Sequence, residues 1–572
     1  KLFVYMAQSV ETIFNGSDIS LVWSTTHIPG MDNAAGGGAQ LRQTGRRRLS
    51  FGSFALGALL TMHCRVAASA LINGSILFVV LLILAVVLLA NPLRHFEIYL
   101  GQWSISGPGR AFRIIPIFDG IGIAMCINAI VRAITCCTMA AIAGVYVMHS
   151  VSDSKLPFTY CRYATEISPI RTQLKSVGMC RETYSGYPSY FNTPAYNFFY
   201  VEVVHYRSDF NFGSFNLDLM LSIFFTWIVL WAVIIKERIY HGRLIWNNTY
   251  VWFVIVPFVW TLLIIITAGL HYISARKILK KIFNLNTKEI IFSMGDALIT
   301  ALYIHSSGVG TELIHGKGLN HYASGHIDPD LNSENVWHSC LLLLLTAMQS
   351  LGTATCAIVD STYSNDTGNV YNMFEKISIP MFRSTLIFGG MMFSYMVVAF
   401  VLLKTALHTI YEYRVKLVFV EQTVVSILML SCMGLSILFT TNGGIALLES
   451  VESVMSGLTM PFVCLLEMIG LLYVYRSRDF ISDMNVATED NACSSRIAIQ
   501  WQIMPFLVLV SLVIKICTVS QSELPALSLY VGIAPLACTV LALPLRAAHN
   551  AYMLFGQKRA RPPVRRAPTA ST

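Results

Sequence analysis

The chain has 572 residues, 55% of them hydrophobic and only 12% charged, with a formal net charge of +9 and a mean hydropathy of +0.60. Soluble domains of that composition would leave large apolar surfaces wet, so the bilayer must be the solvent. Gly-x-Gly-x-x-Gly at a strand end, a P-loop, His-Glu-x-x-His and Gly-x-Ser-x-Gly are all missing, which argues against an enzyme. The basic excess reads as a juxtamembrane collar that fixes topology rather than a nucleic-acid surface.

In chain order, residues 1–50 contain Gly36, Gly37, Gly38 and the run Arg46, Arg47, Arg48, and are expected to be a flexible cytosolic segment. No short basic-then-apolar leader precedes a small-residue cleavage site, so the first span is expected to do the targeting. Apolar runs of hydrocarbon-spanning length then recur near 52–72, 75–99, 116–149, 215–236, 249–272, 289–306, 336–360, 382–410, 416–440, 444–474, 500–518 and 526–546. They predict one all-α bundle of about twelve spans over residues 51–547, not several domains. A basic tail, 548–572, follows with Lys558, Arg559, Arg561, Arg565 and Arg566. Basic residues before the first span and after the last place both ends in the cytosol, as an even count requires. The cluster Arg276, Lys277, Lys280 and Lys281 dissents, since it would lie outside.

Residues 150–214 form the one long polar loop, on this count extracellular, where Cys161 and Cys180 are candidates for a disulfide. The other cysteines, Cys136 and Cys137 among them, have no metal-ligand spacing and read as small apolar filler; no metal and no cofactor is expected. Of the Asn-x-Ser/Thr sequons, Asn15, Asn73 and Asn247 fall in cytosolic or membrane positions, whereas Asn365 lies in an external loop and is the candidate for glycosylation. Ionisable residues inside apolar runs usually face a cavity or each other. Arg65 and Glu452, far apart in sequence, are the most informative such residues.

Pro92-Leu93, then Glu97-Ile-Tyr-Leu-Gly101-Gln102-Trp-Ser-Ile-Ser-Gly107-Pro108, then Pro116-Ile-Phe-Asp-Gly120-Ile-Gly122 resemble the second span, the following loop and the third span of the neurotransmitter:sodium symporters, solute carrier family 6. Phe215-Asn216 through Lys236 is similar to that family's fourth span, Ile291-Phe292-Ser293-Met294-Gly295 to its sixth, and Gly443-Gly444-Ile445, Glu452, Gly457 and Glu467 to its ninth-to-tenth passage. The resemblance covers about 52–546 and implies two inverted five-helix repeats plus two further helices, with substrate and sodium held where the first and sixth spans break. It implies that Arg65 and Glu452 form an external gate, the alternative being a static pair that holds helices. It implies that Ser293 and Gly295 line the sixth-span break, with Phe292 as a lid, and that Cys136 stands where a third-span tyrosine closes over substrate.

The same register puts Leu59 and Met62 at positions of substrate- and sodium-binding residues, and Thr346 at the asparagine of the seventh span. A thioether and an isobutyl group offer a hard cation nothing comparable to amide or carboxylate oxygen, which argues against sodium coupling. Arg132, one turn before Cys136, and Asp296, beside Gly295, are expected to pair as a substitute core charge. Alternatively, Arg132 reaches Glu97 or backbone carbonyls. Taken together, these readings predict a plasma-membrane carrier for a small amino acid or related solute, in contact with lipid and that small-molecule solute but no nucleic acid. The rival is a transport-inactive structural or accessory subunit, with a membrane-protein partner or a second copy.

Overall fold

Hydrocarbon offers no hydrogen bonds, so apolar runs of this length satisfy their backbone groups internally as helices. The computed structural model describes residues 76–152, 156, 198–205, 213–239, 290–319, 335–344, 346, 381–488, 495–519 and 526–560. Among them the chain is helical, apart from turns and one isolated bridge between Phe215 and Thr441. In chain order the helices are α1 (Leu77–Ser104), α2 (Ile121–Ser152), α3 (Leu217–Lys236), α4 (Ile290–Ile304), α5 (Thr311–Leu319) and α6 (Asn335–Leu344). They continue with α7 (Ser384–Tyr413), α8 (Val415–Thr440), α9 (Gly444–Val474), α10 (Ser477–Thr488), α11 (Ile497–Cys517) and α12 (Leu529–Met553).

Eight of these, α1, α2, α3, α7, α8, α9, α11 and α12, are long and apolar enough to cross a membrane, and α4 and α6 are shorter apolar helices. The predicted runs therefore reappear as helices, except 336–360, of which only the start is described, and 52–72 and 249–272, which lie outside the described residues along with Arg65, Leu59, Met62, Cys161, Cys180, Asn365 and the 276–281 basic cluster.

Burial sorts the spans into centre and periphery. The apolar core of α2 is 83% buried and that of α7 72%, against 28% for α11 and 17% for α12. Among the described residues the most extensive helix packing is that of α2 on α7. Buried Ala129, Ala133, Ala140 and Ala141 let backbones approach closely where no hydrophobic force drives helices together. By the span count these are the third and eighth spans, five apart, as two repeats of five would make equivalent. The outward faces are apolar, for example Val80, Leu84, Val87 and Leu88 on α1 and Ile499, Ile503 and Phe506 on α11. Polar and charged side chains such as Arg94, Glu97, Asn128, Arg132 and Glu467 point inward.

The helix ends fall into two groups. At one end Ser150 meets Ser384 at 3.2 Å, and the Asn216 N–H donates to Thr440 O at 2.9 Å. At the other, the 105–120 turn meets α5, the ends of α7 and α12: Arg546 Nε lies 2.7 Å from Asp119 Oδ2, Asn550 Nδ2 donates to the same oxygen at 3.1 Å, and Tyr413 OH donates to Asp119 O at 2.9 Å. Partial burial holds Arg113, beside this cluster, below its ordinary pKa, against the pull of Asp119. This second end also holds Arg110, Lys317, Arg414, Lys416, Arg476 and Arg478. That charge bias is what the positive-inside rule expects of a cytosolic face.

Glu412 organises that face. Its carboxylate accepts the Gly107 N–H at 2.7 Å, the Gly109 N–H at 3.0 Å and Lys317 Nζ at 2.7 Å, and its own carbonyl accepts Arg110 Nε at 3.0 Å. Gly107-Pro108-Gly109 is glycine-rich because a Cβ on either glycine would lie within about 3 Å of Glu412, at 2.9 Å and 2.7 Å.

Candidate functional site: a broken helix and its charged neighbours

Helix α4 runs unbroken through Ser293, Gly295 and Asp296. The chain then turns through His305–Gly310, with φ of 52° at Ser306, 70° at Gly308 and 92° at Gly310, before α5 begins at Thr311. The break of this span is therefore at His305–Gly310, not at Ser293–Gly295 as the motif register predicted. A single glycine costs a helix only about 1 kcal/mol and does not stop it. Gly295 serves instead to admit α11: a Cβ there would lie 2.5 Å from Ile514 Cγ2. Two left-handed glycines two residues apart do stop a helix. Thr311 and Glu312 then restart it, with the acid in the first turn of α5 and Lys317 in its last, each where the helix dipole favours it.

Two side chains from different helices hold the break. Glu97 Oε1 of α1 accepts the Gly308 N–H at 2.9 Å, and Asn128 Nδ2 of α2 donates to Gly308 O at 3.1 Å. The N–H and the carbonyl of Gly308, withdrawn from helical bonding by the turn, are thus both satisfied, as apolar surroundings require. Gly308 and Gly310 sit tight, with virtual Cβ contacts of 2.9 Å to Cys464 Sγ and 2.3 Å to Pro108 Cγ. Gly310→Ala therefore meets both a left-handed φ and Pro108. It is expected to destabilise the protein by about 1–2 kcal/mol or more, read as a lower melting temperature in detergent. Around the break, Ser306 Oγ, Ser307 Oγ, Asn128 Oδ1 and Glu97 Oε2 are buried without a hydrogen-bond partner among the described residues. His305 bridges elements, with Nδ1 3.2 Å from Ala301 O and Nε2 3.1 Å from Ser339 Oγ.

One turn before the break, α4 joins α2 and α9. The Arg132 guanidinium lies over the Tyr303 ring, 4.5 Å from its centroid, and its Nη1 is 3.9 Å from Met460 Sδ. Tyr303 OH donates to Glu452 Oε1 at 3.0 Å, and Thr135 Oγ1 lies 3.2 Å from Glu452 Oε2. Buried Cys136 follows Thr135 on the same helix. The expected Arg132–Asp296 pair does not form, nor does Arg132 reach Glu97, which is engaged with Gly308. The reason is depth: Arg132 lies at the level of Tyr303, seven residues along α4 from Asp296, about 10 Å of helical rise. Tyr303→Phe removes the hydroxyl from a part-buried carboxylate, and is expected to cost about 1–3 kcal/mol, measured as a melting shift that Thr135→Val enlarges.

A second buried knot braces α5. Arg94 Nε lies 3.2 Å from Glu312 Oε2, both side chains 1% exposed, and Arg94 Nη1 also donates to Asn335 Oδ1. Asn335 Nδ2 returns to Asn91 O at 3.2 Å.

Of the residues singled out from sequence, Glu452, Cys136 and Arg132 come together. Ser293 and Asp296 lie on α4 beyond the break's reach, and the Phe292 side chain is outside the described residues. Tyr303, Asn128 and the Arg94–Glu312 pair were missed; the spacing Gly308-Val309-Gly310 after two serines was the available signal for the break.

An interrupted helix held by side chains of two continuous ones, in an all-helical bundle with a polar interior and a basic face, is the arrangement of an inverted-repeat carrier. The family model described as the sodium:neurotransmitter symporter family matches residues 64–554. The chain belongs to the sodium:neurotransmitter symporter family, whose members are polytopic membrane transporters.

Proposed function

We propose that the protein is a plasma-membrane carrier that moves a small amino acid or related solute by alternating access, with both termini in the cytosol and with its ion coupling altered. The observation that carries this is the break at His305–Gly310, where a helix is interrupted inside the bundle and four buried oxygens surround the gap. Irregular backbone at membrane depth is kept where it lines a path or a site, because elsewhere a continuous helix is the lower-energy solution. In this reading Glu452, tied to Tyr303 and Thr135, is the partner of Arg65 in an external gate over that path, a role carried by the family's pattern. Leu59 and Met62 speak against sodium in the first span, whereas Ser306, Ser307, Asn128 and Glu97 present the hard oxygens a small cation selects.

Uptake of a pooled radiolabelled amino-acid mixture into proteoliposomes tests the reading. Sodium, choline with no gradient, and an imposed proton gradient form its three arms, with Arg65→Ala as the control. Arg65-dependent uptake supports the carrier and names its coupling ion. No uptake from folded protein favours the second reading, an accessory membrane subunit, which the apolar Leu59 and Met62 support.

A further inference from the structure

We propose that Arg132 is the docking point for a carboxylate on the transported solute, so that this carrier selects anionic or zwitterionic molecules and rejects simple amines. The inference rests on the carrier reading above and names the substrate class of the same site.

Arg132 is 2% exposed. Its contacts are the face of Tyr303, at 4.5 Å from the ring centroid, the Met460 thioether, at 3.9 Å, and its own backbone carbonyl's bond from Thr135 Oγ1, at 3.0 Å. Nη2 has no hydrogen-bond partner, and among the described residues no carboxylate lies within ion-pair distance of the guanidinium. An aromatic face returns about 2 kcal/mol to a desolvated cation, less than the several kcal/mol that burying a guanidinium costs. An anion is therefore the missing partner. Glu452 is the neighbouring acid, and Tyr303 OH and Thr135 Oγ1 hold it, at 3.0 Å and 3.2 Å. The same tyrosine that holds Glu452 through its hydroxyl presents its ring face to the guanidinium, 4.5 Å from the centroid. A guanidinium held against a ring face, with Nη2 unused and Nη1 on only a weak thioether acceptor, offers a carboxylate two donor nitrogens for a two-point bond. A monoamine would bring a second positive charge to the same place. The site is close to the functional break, since Tyr303 is two residues before His305.

The test is thermal unfolding of the purified full-length protein in detergent, with each of the twenty common amino acids, with the matching amino-acid amides, and with a chloride titration at constant ionic strength. At least one amino acid is expected to raise the melting temperature of the wild type, while its amide does not. Arg132→Met, which keeps the packing on Tyr303 and Met460, is expected to abolish the shift. Arg132→Lys, which keeps the charge but loses the fork, is expected to weaken it roughly tenfold in concentration. Equal stabilisation by acid and amide, an undiminished shift in Arg132→Met, or an equal shift from chloride alone would overturn the proposal. Should Arg132→Met not fold, the acid-against-amide comparison on the wild type decides alone. Carboxylate-selective binding without proteoliposome uptake would keep the role of Arg132 and refute the carrier. Uptake that amides inhibit as well as acids would do the reverse, and neither binding nor uptake would refute both.

Discussion

Arg94→Ala is expected to be among the most damaging single substitutions in the protein. Arg94 and Glu312 are each 1% exposed and 3.2 Å apart, so removing the guanidinium takes a cationic partner from a carboxylate that is buried away from water. Breaking a buried pair from one side costs about 3–5 kcal/mol, because the remaining charge keeps its desolvation penalty and loses its attraction. The pair joins α1 to α5, the helix that follows the break, and Arg94 also reaches Asn335 at the start of α6. The loss should therefore appear as aggregation on size exclusion or a much lower melting temperature. Replacing both partners by apolar residues, Arg94→Met with Glu312→Leu, is expected to recover most of that stability, since an apolar pair has no charge to desolvate. If Arg94→Ala melts like the wild type, the pair is not holding these helices.

Gly316→Ala is the second. Here α1 and α5 pack backbone to backbone: a Cβ on Gly316 would lie 2.0 Å from Ile98 O, and one on Gly101 would lie 2.1 Å from Leu313 O. The obstructing atoms are main-chain carbonyls of another helix and cannot rotate away as a side chain can. The helices must separate, at a cost of about 1–3 kcal/mol or more for a single methyl group. Gly389→Ala and Gly434→Ala provide the contrast, since nothing lies within 4 Å of a Cβ at either position. Both sit inside helices, so alanine there is expected to be neutral or to stabilise slightly. A melting temperature for Gly316→Ala no lower than for Gly389→Ala would contradict the close packing.

The overall architecture was legible because it depends on run length and hydropathy, which hydrocarbon enforces strictly. The basic collar expected from residues 46–48 and 558–566 rests on side chains outside the described residues, whereas Arg110, Lys317, Arg414 and Arg476, which the sequence reading did not single out, gather at one end. The site was legible only in part. Ile291-Phe292-Ser293-Met294-Gly295 suggested a break, but one glycine among strong helix formers does not end a helix, and Gly295 is needed for contact with Ile514. His305-Ser306-Ser307-Gly308-Val309-Gly310 does end it, through left-handed backbone that a register anchored upstream passed over. Arg132 was rightly singled out as a buried charge, but its neighbour was not predictable from charge matching. A cation is held by an aromatic face as well as by an acid, and Tyr303 reads from sequence as ordinary packing. Arg94 with Glu312 was missed because their proximity depends on where α5 turns back onto α1. The gate partner Arg65 lies outside the described residues, so the gate rests on Glu452 and the family's pattern.

In the proposed carrier, the break at His305–Gly310 lines a path opening alternately to the two sides of the membrane. Ser306→Cys tests it most directly, because Ser306 is 1% exposed here and reaches water only if the bundle rearranges. The variant in oriented proteoliposomes is treated with a membrane-impermeant thiol reagent from each side in turn, with the unsubstituted protein as the baseline for its native cysteines. Labelling above that baseline from both sides, slowed by the amino acid that stabilises the protein, is the predicted result. Labelling from neither side would show that the broken helix is a fixed structural joint and that the protein does not work by alternating access.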